Sequence, residues 1–142
     1  IRHFTHSIES TVDFLSAISK SDVDFLFGVF HEGDHIGNIK IGPVDNLYKV
    51  ADVGLMIGDS SWWGKGVATE IIHRITEFGF SDLGLEKIEA GCYEANLGSK
   101  LAFEKCGYKI EGFIREHVIS NGERVGCFKM GMTIKEWNDE KS

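Results

Sequence analysis

Proline is almost absent from this chain: among 142 residues there is one, Pro43. So few breakers allow strands and helices to run nearly uninterrupted, with the 17 glycines left to carry the turns. Cysteine is scarce too. Cys92, Cys106 and Cys127 are odd in number, widely spaced and without a C-x-x-C pair. A disulfide framework is thereby excluded, and a reducing, cytoplasmic location is expected. No stretch approaches the roughly 20 apolar residues that a membrane span needs, and none reads as a signal peptide. Positive charge is short: 15 Lys and Arg against 22 Asp and Glu leave a net charge of −7, with no basic run. Nucleic acid and membrane are therefore not expected as partners.

What is present suffices for a core. Hydrophobic residues make up 42% and aromatics 11%, so residues 1–142 read as a single domain. The chain opens on Ile1 rather than methionine, and an N-terminal truncation is expected.

His3 and His6 read as an exposed lead-in. Ile8, Val12, Leu15 and Ile18 share one helical face behind Ser7 as N-cap, which predicts a helix over Ile8–Ser19. Val23–Phe30 and His35–Ile41 read as strands around the turn His31-Glu32-Gly33-Asp34. His31 and His35 have i, i+4 spacing, but Gly33 and the turn remove the helix that would align them, and no metal site is expected. Tyr48–Ile57 predicts the next strand, so three antiparallel strands precede the segment around which the chain is organised.

That segment is Val53–Ile75. Alternation over Val53, Leu55 and Ile57 gives way to Trp62-Trp63-Gly64-Lys65-Gly66. Helical spacing then begins at Val67, Ile71, Ile72 and Ile75. A glycine loop feeding a helix N-terminus leaves backbone N–H groups unpaired at the positive end of the dipole. It can hold a phosphate or pyrophosphate, although a tight connection would use the same residues. The helix runs to about Phe80. Further on, Lys87–Tyr93 reads as a strand, Leu97–Lys105 as a helix, Tyr108–Val118 and Arg124–Thr133 as a hairpin about Asn121-Gly122, and Ile134–Trp137 as a short tail. The order predicts an α/β (α+β) fold, with a mixed, mostly antiparallel sheet flanked by helices. Its one crossover pair should be parallel and right-handed.

Together the blocks W-G-K-G-V-A-T-E and N-L-G-S-K-L-A-F-E-K-C-G-Y and the element order resemble the GNAT superfamily of acyl-CoA-dependent N-acetyltransferases, and within it the RimJ/RimL branch. The family's opening strand has no counterpart. Its motif Q/R-x-x-G-x-G/A falls on Trp63-Gly64-Lys65-Gly66-Val67-Ala68, with tryptophan in place of Gln or Arg. The resemblance implies acetyl-CoA as co-substrate, with its pyrophosphate on Trp63, Gly64, Lys65, Gly66, Val67, Ala68 and Thr69. It implies backbone groups at Met56, Ile57 and Gly58 beside the thioester. Asn96, Ser99, Ala102, Phe103 and Lys105 would lie along the pantetheine arm. The family's general-acid tyrosine falls at Phe103, which cannot donate a proton, and Ser99 resembles the serine that takes this role in the RimJ/RimL branch.

The implied reaction is direct attack of a primary amine on the thioester. Candidate bases are Glu94 and Glu116, with His117, Asp52 and Glu32 as further options and a water relay as an equal alternative. The expected partners are a small-molecule or peptide amine, such as a nucleotide-linked amino sugar or a protein N-terminus, and a second copy of the chain. A non-catalytic acyl-CoA sensor is the alternative reading. A nucleotide module of another kind fits less well, since neither Rossmann nor P-loop spacing is present.

Overall fold

The computed structural model describes residues 14–20, 23–58 and 66–141; Trp62, Trp63, Gly64, Lys65, His3 and His6 lie outside them. Among the described residues seven strands form one sheet in the order β1-β2-β3-β4-β5-β7-β6. The strands are β1 (Phe14–Lys20), β2 (Phe25–His31), β3 (Asp34–Ile41), β4 (Val50–Ile57), β5 (Lys87–Tyr93), β6 (Lys109–Ser120) and β7 (Glu123–Thr133). The β4–β5 pair is parallel, and the other neighbours are antiparallel. This is the expected mixed sheet. Helices α1 (Val67–Glu77) and α2 (Leu97–Lys105) flank it, and α3 (Ile134–Lys141) follows the last strand.

Three expectations are corrected. Residues Phe14–Lys20 are strand, not helix: their backbone pairs with β2 from Phe14↔Phe30 to Lys20↔Phe25, with a bulge between Ala17 and Ser19. The open edge of β2 outcompetes the local helical period, and residues 8–13 lie outside the described part. Four strands, not three, therefore lead up to the glycine loop. The tail after β7 is helical through Lys141, because Thr133 and Glu136 form a reciprocal capping box. The Thr133 N–H donates to Glu136 Oε1 at 2.9 Å, and the Glu136 N–H donates to Thr133 Oγ1 at 3.1 Å.

Turn chemistry fixes the hairpins. Glu32 and Gly33 have φ of 51° and 85°, and Asn121 and Gly122 have 53° and 81°. Two consecutive positive φ values make the tight turn whose twist suits the flanking strands.

The core lies on one face of the sheet. Val67, Ile71, Ile72 and Ile75 of α1 are fully buried, as are Ile39, Ile41, Ile88, Met130 and Met132 of the sheet. Each such side chain is worth about 1.5–3 kcal/mol relative to exposure. Past Glu77 the helix widens into a π-helical turn over Phe78–Asp82. There, a Cβ at Gly79 would stand 2.7 Å from Ile88 Cδ1 and 3.0 Å from Ile41 Cδ1, so glycine lets the backbone come down onto the sheet. The opposite face is open at its centre: Asp52, Gly54, Met56, Gly91 and Tyr93 are exposed. Among the described residues no helix is long and apolar enough to cross a membrane.

Candidate functional site

The site begins where two paired strands stop pairing. The β4–β5 ladder ends at Val53↔Ala90, although β4 continues to Ile57 and β5 to Tyr93. Each strand is held by its outer neighbour instead: Ile57 pairs with Gly37 of β3, and Tyr93 with Cys127 of β7. The inner edges are left facing one another across a gap.

Register decides which backbone groups face that gap. The Gly58 N–H donates to the Ile36 carbonyl at 3.1 Å, and Gly42 N–H to the Asp52 carbonyl at 2.8 Å. Alternation in an antiparallel ladder then turns even-numbered residues of β4 toward β3 and odd-numbered ones toward the gap. The exposed donors are thus Leu55 and Ile57. Of the expected trio, Ile57 keeps its place, while the N–H groups of Met56 and Gly58 are committed to β3. Across the gap, Glu94 N–H donates to the Gly126 carbonyl at 2.9 Å and Ile134 N–H to the Glu86 carbonyl at 2.9 Å. By the same alternation, Gly91 and Tyr93 present their backbone groups to β4.

A cleft of about 680 Å³ fills the gap and continues onto the open face. Two glycines form its floor. Gly54 pairs with Lys40, and Gly91 with Lys129, just beyond the last parallel pair. A Cβ at Gly54 would meet nothing within 4 Å, so the missing side chain is open space. Neither glycine was among the expected site residues. The available signal was glycine inside a strand, which often marks close approach by a ligand.

From α2 the cleft takes Asn96, Ser99 and Phe103. Asn96 caps the helix, its Oδ1 accepting from the Ser99 N–H at 3.0 Å. Ser99 is nine-tenths buried, and its hydroxyl donates to the Cys92 sulfur at 3.5 Å. Burial pushes the Cys92 thiol pKa up, so this sulfur stays protonated. Phe103 packs edge-on to Tyr108, ring centroids 5.0 Å apart. The Tyr108 hydroxyl is itself buried and bonded to Thr76 Oγ1 at 2.7 Å, and no phenol of α2 replaces the expected acid. Met56 lines the cleft through its side chain. Ala102 is buried in the core and Lys105 is exposed, and neither lines the cleft.

Both candidate carboxylate bases fall elsewhere. Glu94 turns to the adjoining strand, where its Oε1 accepts from the Gly126 N–H at 2.6 Å. That bond clamps the end of β5 to β7. Glu116 lies in a bulge: between Ile114↔Cys127 and Val118↔Val125, three β6 residues face one on β7, and Glu116 has φ of 48°. The bulge interrupts the strand's alternation, and His117, not Glu116, reaches the cleft. Asp52 and Lys129 line it as well. Glu32 sits in the β2–β3 turn, 3.7 Å from His31 Nε2, away from the cleft.

At the other end of the site, Gly66 is the N-cap of α1 in left-handed conformation with φ of 78°, and no side chain caps the helix. The first helical bond runs from Glu70 N–H to the Gly66 carbonyl at 3.1 Å. The N–H groups of Val67, Ala68 and Thr69 therefore lack intrahelical acceptors. The negative charge of Glu70 in this turn is balanced by Arg74, 2.8 Å away. No cluster of three or more metal-binding side chains occurs among the described residues.

Comparison with known proteins agrees with this geometry. Residues 1–109 match the Acetyltransferase (GNAT) domain family. The chain is 33% identical over 106 residues to the probable N-acetyltransferase YjcK of Bacillus subtilis, covering 72% of this chain and 58% of that protein. It is 29% identical over 101 residues to the L-amino acid N-acetyltransferase AaaT of Escherichia coli, covering 70% of this chain and 62% of that protein. The chain thus spans about three fifths of the length of these relatives. Among solved structures, spermidine N-acetyltransferase from Vibrio cholerae in complex with CoA and spermine superposes with a TM-score of 0.76 at 23% identity, over 82% of this chain and 69% of that one. That likeness is one of fold. Taken with the split sheet and the uncapped helix after the glycine, the match over residues 1–109 identifies the chain as a member of the GNAT acetyltransferase family.

Proposed function

We propose that residues 1–142 form one acetyltransferase domain of the RimJ/RimL-like branch, moving acetyl from acetyl-CoA to a primary amine by direct attack. The observation that carries this reading is the gap beyond Val53↔Ala90, with unpaired backbone on both sides and Asn96, Ser99 and Phe103 along one wall. An extended arm with amide groups fits such a gap as an added strand, bonding to the edges of β4 and β5. The N–H groups of Val67, Ala68 and Thr69 hold the pyrophosphate, together with Gly66, whose missing Cβ leaves the approach open. The YjcK and AaaT names are consistent with an amine acceptor. Three buried free cysteines fit the reducing cytoplasm.

In this reading the acceptor ammonium gives up a proton, its nitrogen attacks the thioester carbonyl, and the nitrogen gives up a second proton as the amide forms. An N–H of Leu55 or Ile57 stabilises the oxyanion as it forms. Collapse breaks the carbon–sulfur bond, and the departing thiolate takes up a proton. Ser99 lines the cleft from α2, and supplying the proton requires its O–H to turn from the Cys92 sulfur into the cleft. Asp52 and His117 are the titratable groups on the cleft placed to accept the amine proton, directly or through water. Neither Glu94 nor Glu116 has a part in this scheme.

The test is release of free CoA from acetyl-CoA in the presence of a panel of amines, alongside calorimetric titration of acetyl-CoA. Amine-dependent release supports the enzyme. Tight acetyl-CoA binding with no release from any amine turns the assignment to an acyl-CoA sensor.

A further inference from the structure

Of the four acidic, basic or imidazole side chains on the cleft, three make no hydrogen bond or ion pair among the described residues: Asp52, Lys129 and His117. The fourth, Lys40, is held 3.4 Å from Asp24. Two carboxylates on the neighbouring strands are paired with lysine. Glu89, opposite Asp52 in the β4–β5 register, lies 3.5 Å from Lys87 Nζ, and that same Nζ lies 2.9 Å from Glu111. Among the described residues, Asp52 is the one carboxylate that lines the cleft and can meet an ammonium there, beside Lys129 and His117.

The register places these charges around the glycine floor. Lys129 stands opposite Gly91, and Asp52 lies two residues before Gly54 on the same side of β4. Counting two inter-strand steps of ~4.8 Å and two residues along the strand, their backbones are roughly 12 Å apart. A lysine side chain spans about half of that distance, which leaves room between the two head groups for a small amphoteric molecule. Its amine would lie toward Asp52 and its anionic end toward Lys129. A polyamine in the same place would set a second ammonium against Lys129.

We infer that the acceptor is a primary amine bearing its own anionic group, a carboxylate or a phosphate, read by Asp52 at the amine and by Lys129 at the anion. This rests on the acetyl-transfer reading for the chemistry but not for the binding. The recognition requires only that the open face of the cleft is where the amine lies.

Binding and turnover are therefore measured separately. CoA-saturated protein is titrated by calorimetry with amino acids, dipeptides and glucosamine 6-phosphate, each beside the same amine stripped of its anionic group, and with spermidine. CoA release is followed for the same set. The expected result is at least tenfold tighter binding of some anionic member than of its stripped counterpart and than of spermidine. Lys129→Met should abolish that preference while leaving the weak binding of the stripped amine unchanged. The carboxylate and phosphate arms tell which anion is read. Equal or tighter binding of spermidine or of the stripped amines overturns the inference. So does an equal loss for both members of a pair in Lys129→Met, or binding by no member at all. Selective binding without CoA release upholds the charge reading and removes the acetyltransferase reading.

Discussion

The Ser99 hydroxyl donates to the Cys92 sulfur at 3.5 Å, and the Cys92 thiol donates in turn to the Met130 sulfur at 3.6 Å. Helix α2 is thereby tied to β5 at the edge of the cleft, and the resting direction of the Ser99 proton is set by a soft acceptor. Sulfur is a weak partner, so the hydroxyl can be redirected at small cost. Ser99→Ala is expected to lower kcat roughly 100-fold, the lower range for loss of a general acid, with little change in acetyl-CoA affinity. Stopped-flow turnover and calorimetry separate the two, and an undiminished kcat removes Ser99 from the mechanism.

Gly66→Asp should abolish acetyl-CoA binding. It sets a carboxylate at a helix N-terminus that must receive a pyrophosphate. The substitution also strains a backbone with φ of 78°, so Gly66→Asn is the control: it carries similar strain without the charge. The expected order of affinity is glycine, then asparagine, then aspartate with none measurable. Equal affinities for the two variants would refute an anion site here.

Gly54→Val is expected to fold normally, since nothing lies within 4 Å of the new Cβ and β-branched residues suit strands. Its stability should stay within about 0.5 kcal/mol of the parent. The acceptor KM should nevertheless rise steeply, because the isopropyl group fills the cleft floor. Gly91→Val is the less clean variant, with Cys127 Sγ 3.2 Å from its Cβ. A Gly54→Val protein with unaltered acceptor kinetics would place the acceptor elsewhere.

The hydrogen bond between Thr76 and Tyr108 is a core contact that catalysis does not use. Both side chains are buried, and their oxygens lie 2.7 Å apart. Tyr108→Phe strands the Thr76 hydroxyl and should cost about 1–3 kcal/mol in urea unfolding. Pairing it with Thr76→Val should cost less than the sum of the single changes.

Alkaline stability has a defined sign. Burial pushes the Cys106 thiol up to about 12, well above its value in an unfolded chain. Between the two values the unfolded state binds fewer protons than the folded one, so stability falls as pH rises from about 9 toward 12. Buried Tyr108, also pushed up by burial, adds to the decline at the upper end. Cys106→Ala should flatten the lower part of the curve measured by thermal melts across that range. At pH 8 Cys106 should resist alkylation in the folded protein.

Much of this was legible locally. The spacing of Val67, Ile71, Ile72 and Ile75 and the Asn121-Gly122 turn are short-range signals, and each lies where its pattern predicts. Phe14–Lys20 shows the limit. Its helical period is real, yet an open strand edge on β2 took the segment into the sheet. Glu94 and Glu116 show another limit. A carboxylate near a strand end reads as a candidate base until the neighbouring strand supplies an N–H, as Gly126 does for Glu94, or a bulge rotates it away, as happens to Glu116.

The sequence by itself determined the family, the alternation of the elements and the uncapped glycine entry to α1, because these depend on residues close together in the chain. Only the tertiary structure decided which amides face the gap. That depends on the register of β4 on β3 and of β5 on β7, and a shift of one residue exchanges Met56 for Leu55. It also brought Gly54 beside Gly91 and set Asp52 across from Lys129, residues far apart in sequence whose meeting depends on how four strands pair.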